Sequence, residues 1–231
     1  MFDAQVKTVC EHYAEAQQLH EAGVRLVSCD EKTGIQALER LHPTLGMHPG
    51  VVERQESEYK RHGTQCLIAN FEVATGEVLA PSIGLTRTSE DFAAHIEQTV
   101  ATDPDAGWVF VVDQLNTHQS EELVKVVAGK CGIELELDAK GHLRNMKAMA
   151  SRATFLADSE HRIRFVYTPK HTSWLNQVEM WFSILTRKLL RRGSFDSVDD
   201  LRERILGFIE YFNQTMAKPF KWTYKGRPLQ A

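Results

Sequence analysis

The run WVFVVD at residues 108–113 constrains the chain more than any other segment. Five consecutive apolar residues show no alternation until the terminal aspartate, the pattern of a central strand buried on both faces. Such a strand needs cover on two sides, so the expected class is α/β, a mixed sheet flanked by helices. The aspartate at its carboxyl end, Asp113, becomes the informative residue. Ligands of open α/β sheets gather outside the carboxyl ends of the strands.

Around this anchor the text reads as alternating elements. Residues 3–22 carry Val6, Val9, Cys10, Tyr13 and Ala14 at helical spacing up to Gly23. VRLVSCD (24–30) reads as a second strand that also ends in an acid, Asp30. The polar, turn-rich stretch 31–63 is expected to be a long loop or arm, with Arg54, Lys60, Arg61 and His62 giving it basic character. A hairpin is expected from strands 64–74 and 77–85 through Thr75-Gly76. Thr88 and Asp91 make a capping box for a helix with Phe92, Ile96 and Val100 on its apolar stripe. Further helices are expected at 119–130, 174–191 and 198–216, with a strand at 163–168. The last helix would open with the box Ser197 to Asp200 and carry Leu201, Ile205, Phe208 and Phe212. The stretch 130–160 has no clear periodicity and is expected to be an insertion.

Composition narrows the class further. The 231 residues are 42% hydrophobic and 25% charged, which fits a packed globular chain and excludes collagen, coiled coil and disorder. No stretch approaches the roughly 18 apolar residues of a membrane span, and no leader pattern opens the sequence, so a cytoplasmic protein is expected. Four scattered cysteines without CxxC exclude a zinc ribbon or disulfide scaffold. His42, His48 and His62 match no zinc spacing.

The net charge of −4 argues against nucleic acid until it is divided. Residues 161–195 hold Arg162, Arg164, Lys170, Arg187, Lys188, Arg191 and Arg192 against one acid, Glu179. That block is +6, leaving −10 for the rest of the chain. On a helix over 174–191, Trp174, Val178, Trp181, Phe182, Leu185 and Leu189 share one face, and Glu179 lies at its edge. Trp174 and Trp181 are therefore expected in the core.

A carboxylate at a core boundary needs a partner. An ion pair with a nearby Arg or Lys would serve, and Asp30 and Asp113 could equally be turn or N-cap residues. Three carboxylates sharing divalent ions would also serve. Mg²⁺ or Mn²⁺ suits such a hard oxygen set, and two ions can activate an attacking oxygen and stabilise a leaving one at a phosphodiester. Asn116 and His118 just past Asp113, and Asn176 one turn before Glu179, are candidates to orient these groups. Lys170, His171, Arg187, Lys188, Arg191 and Arg192 are candidate DNA contacts.

Taken with the two aspartates, CDEKTGIQALER (29–40), EYKRHGTQCLIANF (58–71), VVDQLNTHQS (111–120), YTPKHTSWLNQVEMWFSIL (167–185) and FIEYFNQTMAKPFKWTY (208–224) resemble the DDE transposase domain of the IS630 family, in the wider Tc1/mariner superfamily. The resemblance implies an RNase H-like fold over residues 24–216, with 1–23 a helix or linker remnant and 217–231 a tail; within it KPFKWTYKGRP (218–228) offers either a DNA clamp or a surface that packs on a partner. It implies Asp30, Asp113 and Glu179 as the catalytic, metal-binding triad, and two Mg²⁺ or Mn²⁺ ions. The reactions implied are hydrolysis at the ends of a mobile element and attack of the freed 3′-OH on target DNA. It also implies a bacterial, nucleoid-associated setting and a homo-oligomer on DNA. The interval from Asp113 to Glu179 is longer than usual in that superfamily, and Gln114 stands where Asn is common. With about 20 residues ahead of the first catalytic strand, recognition of the element's ends is expected to reside elsewhere, which makes a non-catalytic assembly subunit the alternative.

Overall fold

In a computed structural model, which describes residues 2–42, 45–54 and 56–224, five strands form one sheet in the order β3-β2-β1-β4-β5. Helix α1 (Phe2–Glu21) leads into β1 (Val24–Arg40) through Gly23, whose φ of 77° suits a residue without Cβ. Strand β2 (Tyr59–Glu72) runs antiparallel to β1, and β3 (Val78–Gly84) antiparallel to β2. Helix α2 (Ser89–Val100) crosses back to β4 (Gly107–Val112), which lies parallel to β1. Helices α3 (Glu121–Cys131) and α4 (Met149–Leu156) precede the parallel edge strand β5 (Ile163–Tyr167). Helices α5 (Val178–Leu185) and α6 (Val198–Thr215) complete the chain's regular elements.

Strand β4 is buried on both faces, as its unbroken apolar run requires. Trp108, Phe110 and Val112 face α2, α3 and α4, packing with Phe92, Ile96, Leu123, Leu156 and Phe165. Val109 and Val111 face α1, with Val9, Tyr13 and Leu26. Alternate residues of one strand thus serve two cores. Truncating Phe110 to Ala would cost about 3–5 kcal/mol. A third apolar cluster seats α5 and α6 on the β1-β2-β3 side through Phe71, Trp181, Phe182, Leu201, Ile205 and Phe212.

Several expectations change. The long loop over 31–63 is instead nearly half sheet. Strand β1 continues to Arg40 and β2 begins at Tyr59, so the connecting segment is much shorter. The ribbon projects beyond the core, so its outer residues are polar and carry no strong strand signal; only Ile35 and Ala37 keep buried positions. A register shift between Lys32 and Ile35, with Gly34 at φ 64°, bends it. His62 bonds Glu39 at 2.7 Å.

The expected helix 174–191 is divided. A 3₁₀ turn (Ser173–Leu175) precedes α5, and a π-helical turn (Thr186–Leu190) follows it. Asn176 adopts extended ψ (110°) between them. Trp174 therefore falls outside α5 and is 52% exposed, contrary to its expected core position, while Trp181 is fully buried. The segment 130–160 contains α4 and a bridge between Leu137 and Leu143, and it contributes Leu143 and Leu156 to the core.

Capping follows the sequence at α2, where Thr88 and Asp91 bond reciprocally. At α6, Ser197 accepts from the Asp200 N–H, but Asp200 accepts from Asp196 instead of Ser197. Ile209 takes a buried place on that helix and Phe208 only a partial one. The tail, described to Tyr224, packs on its own chain: Phe220 stacks on Phe71 at 4.5 Å and Trp222 meets Tyr13 edge to face. Residues 225–228 of the expected clamp lie outside the described residues. Gly76 (φ 78°) turns β2 into β3 against the Lys218 backbone, where a Cβ would lie 2.1 Å from that carbonyl. Among the described residues no helix is long and apolar enough to cross a membrane.

His95 of α2 is wholly buried and held neutral. Asn70 Nδ2 lies 2.8 Å from its Nε2, and Ser82 Oγ lies 2.8 Å from its Nδ1. Burial, with a smaller repulsion from His118, pushes its pKa down to about 3. An unfolded histidine titrates near 6.5, so below that pH the unfolded chain binds the extra proton and stability falls as pH drops toward 3. Acidification from pH 7 to 5 should remove about 2 kcal/mol through this one group. Urea unfolding of wild type and His95→Gln at both pH values checks it: the pH-dependent loss should shrink by that amount in the variant, and an equal loss in both would refute it.

Candidate active site

Two acids are carried to one end of the sheet by strand geometry. Ser28 and Asp30 share a parity on β1 and face α5, whereas Val27, Cys29 and Glu31 face the α2/α3 side. Asp113 follows β4 directly, beside β1 in the parallel register that pairs Ser28 with Val111. Glu179 lies in the first turn of α5.

A polar junction fastens α5 to β1. Ser28 Oγ donates to Asn176 Oδ1 and accepts the Val178 N–H at 2.9 Å. Asn176 Nδ2 donates to the Cys29 carbonyl at 2.9 Å and lies 3.3 Å from Asp30 Oδ2. Asn176 and Ser28 are essentially inaccessible to solvent. Underneath, Tyr13 Oη of α1 donates to the Leu175 carbonyl at 2.9 Å. The same junction that breaks the expected long helix thus sets Glu179 opposite Asp30.

The electrostatics of the three acids differ. Asp30 Oδ1 accepts the Glu31 N–H at 2.7 Å. Burial raises the Asp30 pKa to about 7, aided by the nearby charges of Glu31, Asp113 and Glu179 and only partly opposed by that bond. Glu179 is half-buried and, among the described residues, its carboxylate has no ion-pair or hydrogen-bond partner. The ion pair with a neighbouring Arg or Lys that the basic block would permit is not formed. Burial works to raise the Asp113 pKa, but His118 and the Leu115 N–H hold it below the usual carboxylate range. Asp113 Oδ1 lies 2.8 Å from His118 Nδ1 and 2.9 Å from Leu115 N.

His118 is fully buried and also reaches Glu31 Oε1 through Nε2 at 3.1 Å. Burial would lower its pKa, yet the two carboxylates outweigh that and raise it to about 10. Sequence reasoning missed Glu31, although its place next to Asp30 and opposite in parity was a usable signal. Asn116, by contrast, is exposed with no side-chain hydrogen bond among the described residues.

The expected DNA contacts are all exposed but form two groups. Lys170 and His171 line a groove with Asp113, Gln114, Leu115 and Thr168. His171 holds φ 64°, a sparsely populated conformation for a residue with Cβ. Arg187, Lys188, Arg191 and Arg192 follow α5 toward the β1-β2 ribbon, where Arg40 reaches the Arg191 carbonyl. At 1.5 Å per residue, Arg191 stands roughly 18 Å from Glu179, about five base steps along a duplex.

A hard divalent ion fits the chemistry of this donor set. The oxygens are carboxylate, and mutual repulsion with burial lifts Asp30, a penalty that a cation relieves. Among the described residues no group of three or more His, Cys, Asp and Glu side chains is arranged to hold one ion. Mg²⁺ takes only one or two carboxylates and keeps waters, so pairs of acids are sufficient.

The junction should govern both stability and site. Ser28→Ala leaves Asn176 Oδ1 and the Val178 N–H unpaired in a dry environment, at a cost of about 1–3 kcal/mol. Thermal or urea unfolding measures it; stability unchanged within 0.5 kcal/mol, the usual range for a surface substitution, would show the junction to be dispensable.

Comparison with known proteins identifies the fold and the family. The Mos1 mariner transposase in its paired-end complex with Mn shares the fold with a TM-score of 0.54, at 13% identity, over 90% of this chain and 54% of that one. The Mos1 paired-end complex with the left transposon end gives 0.52 at 12% identity, over 89% and 54%. The chain therefore spans about half the length of these transposases and has their RNase H-like fold. No curated protein sequence matches it. Residues 25–202 match the DDE superfamily endonuclease family, and the chain belongs to that family.

Proposed function

We propose that the chain is the catalytic part of a DNA transposase of the IS630 type, with residues 24–216 as its catalytic domain. It cuts phosphodiesters at the ends of a mobile element and joins the freed 3′-OH to target DNA, acting as a homo-oligomer on that DNA. The observation that carries this reading is the acid cluster: Asp30 is raised to about 7 by burial and by three neighbouring carboxylates, with no cationic side chain among the described residues bonded to it or to Glu179. The domain's family is an endonuclease family, and the structures that share its fold are complexes with transposon ends and, in one case, Mn.

Asp30, Asp113 and Glu179 would hold Mg²⁺ or Mn²⁺, two ions in all, which when bound supply activation of the attacking oxygen and stabilisation of the leaving oxygen. The chain's own residues do the rest. Asn176 and the Glu31 N–H orient the Asp30 carboxylate. Lys170 and His171, beside Asp113, neutralise phosphates next to the reacting one, and the basic group beyond α5 holds the backbone farther along. These contacts fix register without reading sequence. Cellular placement follows from the substrate, at the bacterial nucleoid.

Incubating the chain with a duplex bearing the terminal repeats that flank its gene, or with supercoiled plasmid, should give nicking that requires Mg²⁺ or Mn²⁺. Asp113→Asn or Glu179→Gln should lower the rate a hundredfold or more, corresponding to several kcal/mol of lost transition-state stabilisation. Full activity in Asp113→Asn would exclude the proposal.

A further inference from the structure

Glu31 is the buried acid that the proposed chemistry leaves unused. Its side chain is 1% exposed, on the opposite face of β1 from Asp30. There it meets His118, whose ring is 0% exposed and lies 4.2 Å from the Phe92 ring. Tyr167 Oη donates to the His118 carbonyl at 2.9 Å, so the backbone bearing the ring is fixed as well. The imidazole spans the end of the sheet between two carboxylates, with Nε2 toward Glu31 at 3.1 Å and Nδ1 toward Asp113 Oδ1 at 2.8 Å. Both nitrogens face acceptor oxygens, the arrangement of a doubly protonated ring.

The consequence falls on Asp113. Its Oδ1 accepts the Leu115 N–H and lies 2.8 Å from His118 Nδ1, which also reaches the Asp113 carbonyl at 3.2 Å, and among the described residues Oδ2 has no protein partner. We propose that Glu31 is a positioning residue: through His118 it fixes the Asp113 carboxylate with Oδ1 engaged, so that Asp113 offers a divalent cation one oxygen, Oδ2. Consecutive residues of β1 then serve one site from two faces of the sheet, Asp30 directly and Glu31 through the ring that reaches Asp113. A pair kept only for packing would have a different signature. Buried ion pairs add little net stability over apolar replacements, and losing one would leave cation affinity untouched. Outer partners of metal ligands, when removed, lower affinity by roughly 10–100-fold.

The inference rests on the reading of Asp113 as a cation ligand, and the test separates the two. Mn²⁺ is titrated into the full chain without DNA, and unbound ion is counted by its electron paramagnetic resonance signal. Wild type should bind Mn²⁺, Asp113→Asn should weaken binding strongly, and Glu31→Gln should weaken it about tenfold. In a His118→Asn background Glu31→Gln should have no further effect, because the route from Glu31 to Asp113 is already cut. Removing one buried partner could unfold the chain, so the titration is repeated on the double variant Glu31→Met/His118→Phe, which removes the buried Glu31–His118 pair together, leaves only the partly exposed Asp113 without its counter-charge, and should also bind about tenfold more weakly. Circular dichroism confirms folding of each variant. Binding lost in Asp113→Asn but unchanged in Glu31→Gln or in the double variant overturns this inference alone, as do additive effects of Glu31→Gln and His118→Asn. Absence of Mn²⁺ binding by wild type, or binding indifferent to Asp113→Asn, overturns the cation reading and this inference together.

Discussion

The site depends on the bond set that joins the end of β1 to the start of α5. Ser28 satisfies both Asn176 and the Val178 N–H, and Asn176 returns to the Cys29 carbonyl and to Asp30. These groups are buried, so each bond replaces a desolvation penalty that would otherwise fall on the fold. One strand and one helix, nearly 150 residues apart in sequence, are thereby locked in a single relation. Glu179 follows from it, since it lies one residue past the anchored Val178. Tyr13 extends the same logic to α1, which buttresses the Leu175 turn from below.

Charge is distributed around this junction in opposed layers. Acids gather where the strands end, and burial with the repulsion of its neighbours makes ionisation of Asp30 costly without added cations. Among Asp30, Asp113 and Glu179, and among the described residues, Asp113 alone receives an internal counter-charge, from His118, which it shares with Glu31. Basic residues stand outside, beside Asp113 and beyond α5, where they are exposed and able to meet phosphate. The chain's mild net acidity therefore averages over a local contrast between a negative site and a positive rim.

Much of this was legible because certain residues admit one local environment. WVFVVD could not be half-exposed, so its place inside the sheet and the position of Asp113 followed. Thr88 and Asp91 fixed the start of α2 by chemistry internal to four residues. The outer half of β1 was not legible, since a ribbon that leaves the core loses the apolar alternation that marks a strand. The break at Asn176 was invisible for a related reason: the helical periodicity of 174–191 is local, whereas the bonds that override it come from Ser28 and Cys29 on another element. Beside Asp30 and opposite to it in parity, Glu31 could be suspected from the strand, but its partner was not legible, because it is a ring 87 residues away.

The central claim is that Asp30, Asp113 and Glu179 form one divalent-cation site for phosphodiester chemistry. Anomalous scattering from a crystal of the chain soaked in Mn²⁺ tests it most directly. The account predicts Mn²⁺ density contacting these three carboxylates, with His118 remaining on Asp113 Oδ1. Density confined to other residues, or Glu179 found in an ion pair with a neighbouring Arg or Lys while Mn²⁺ is saturating, would contradict it.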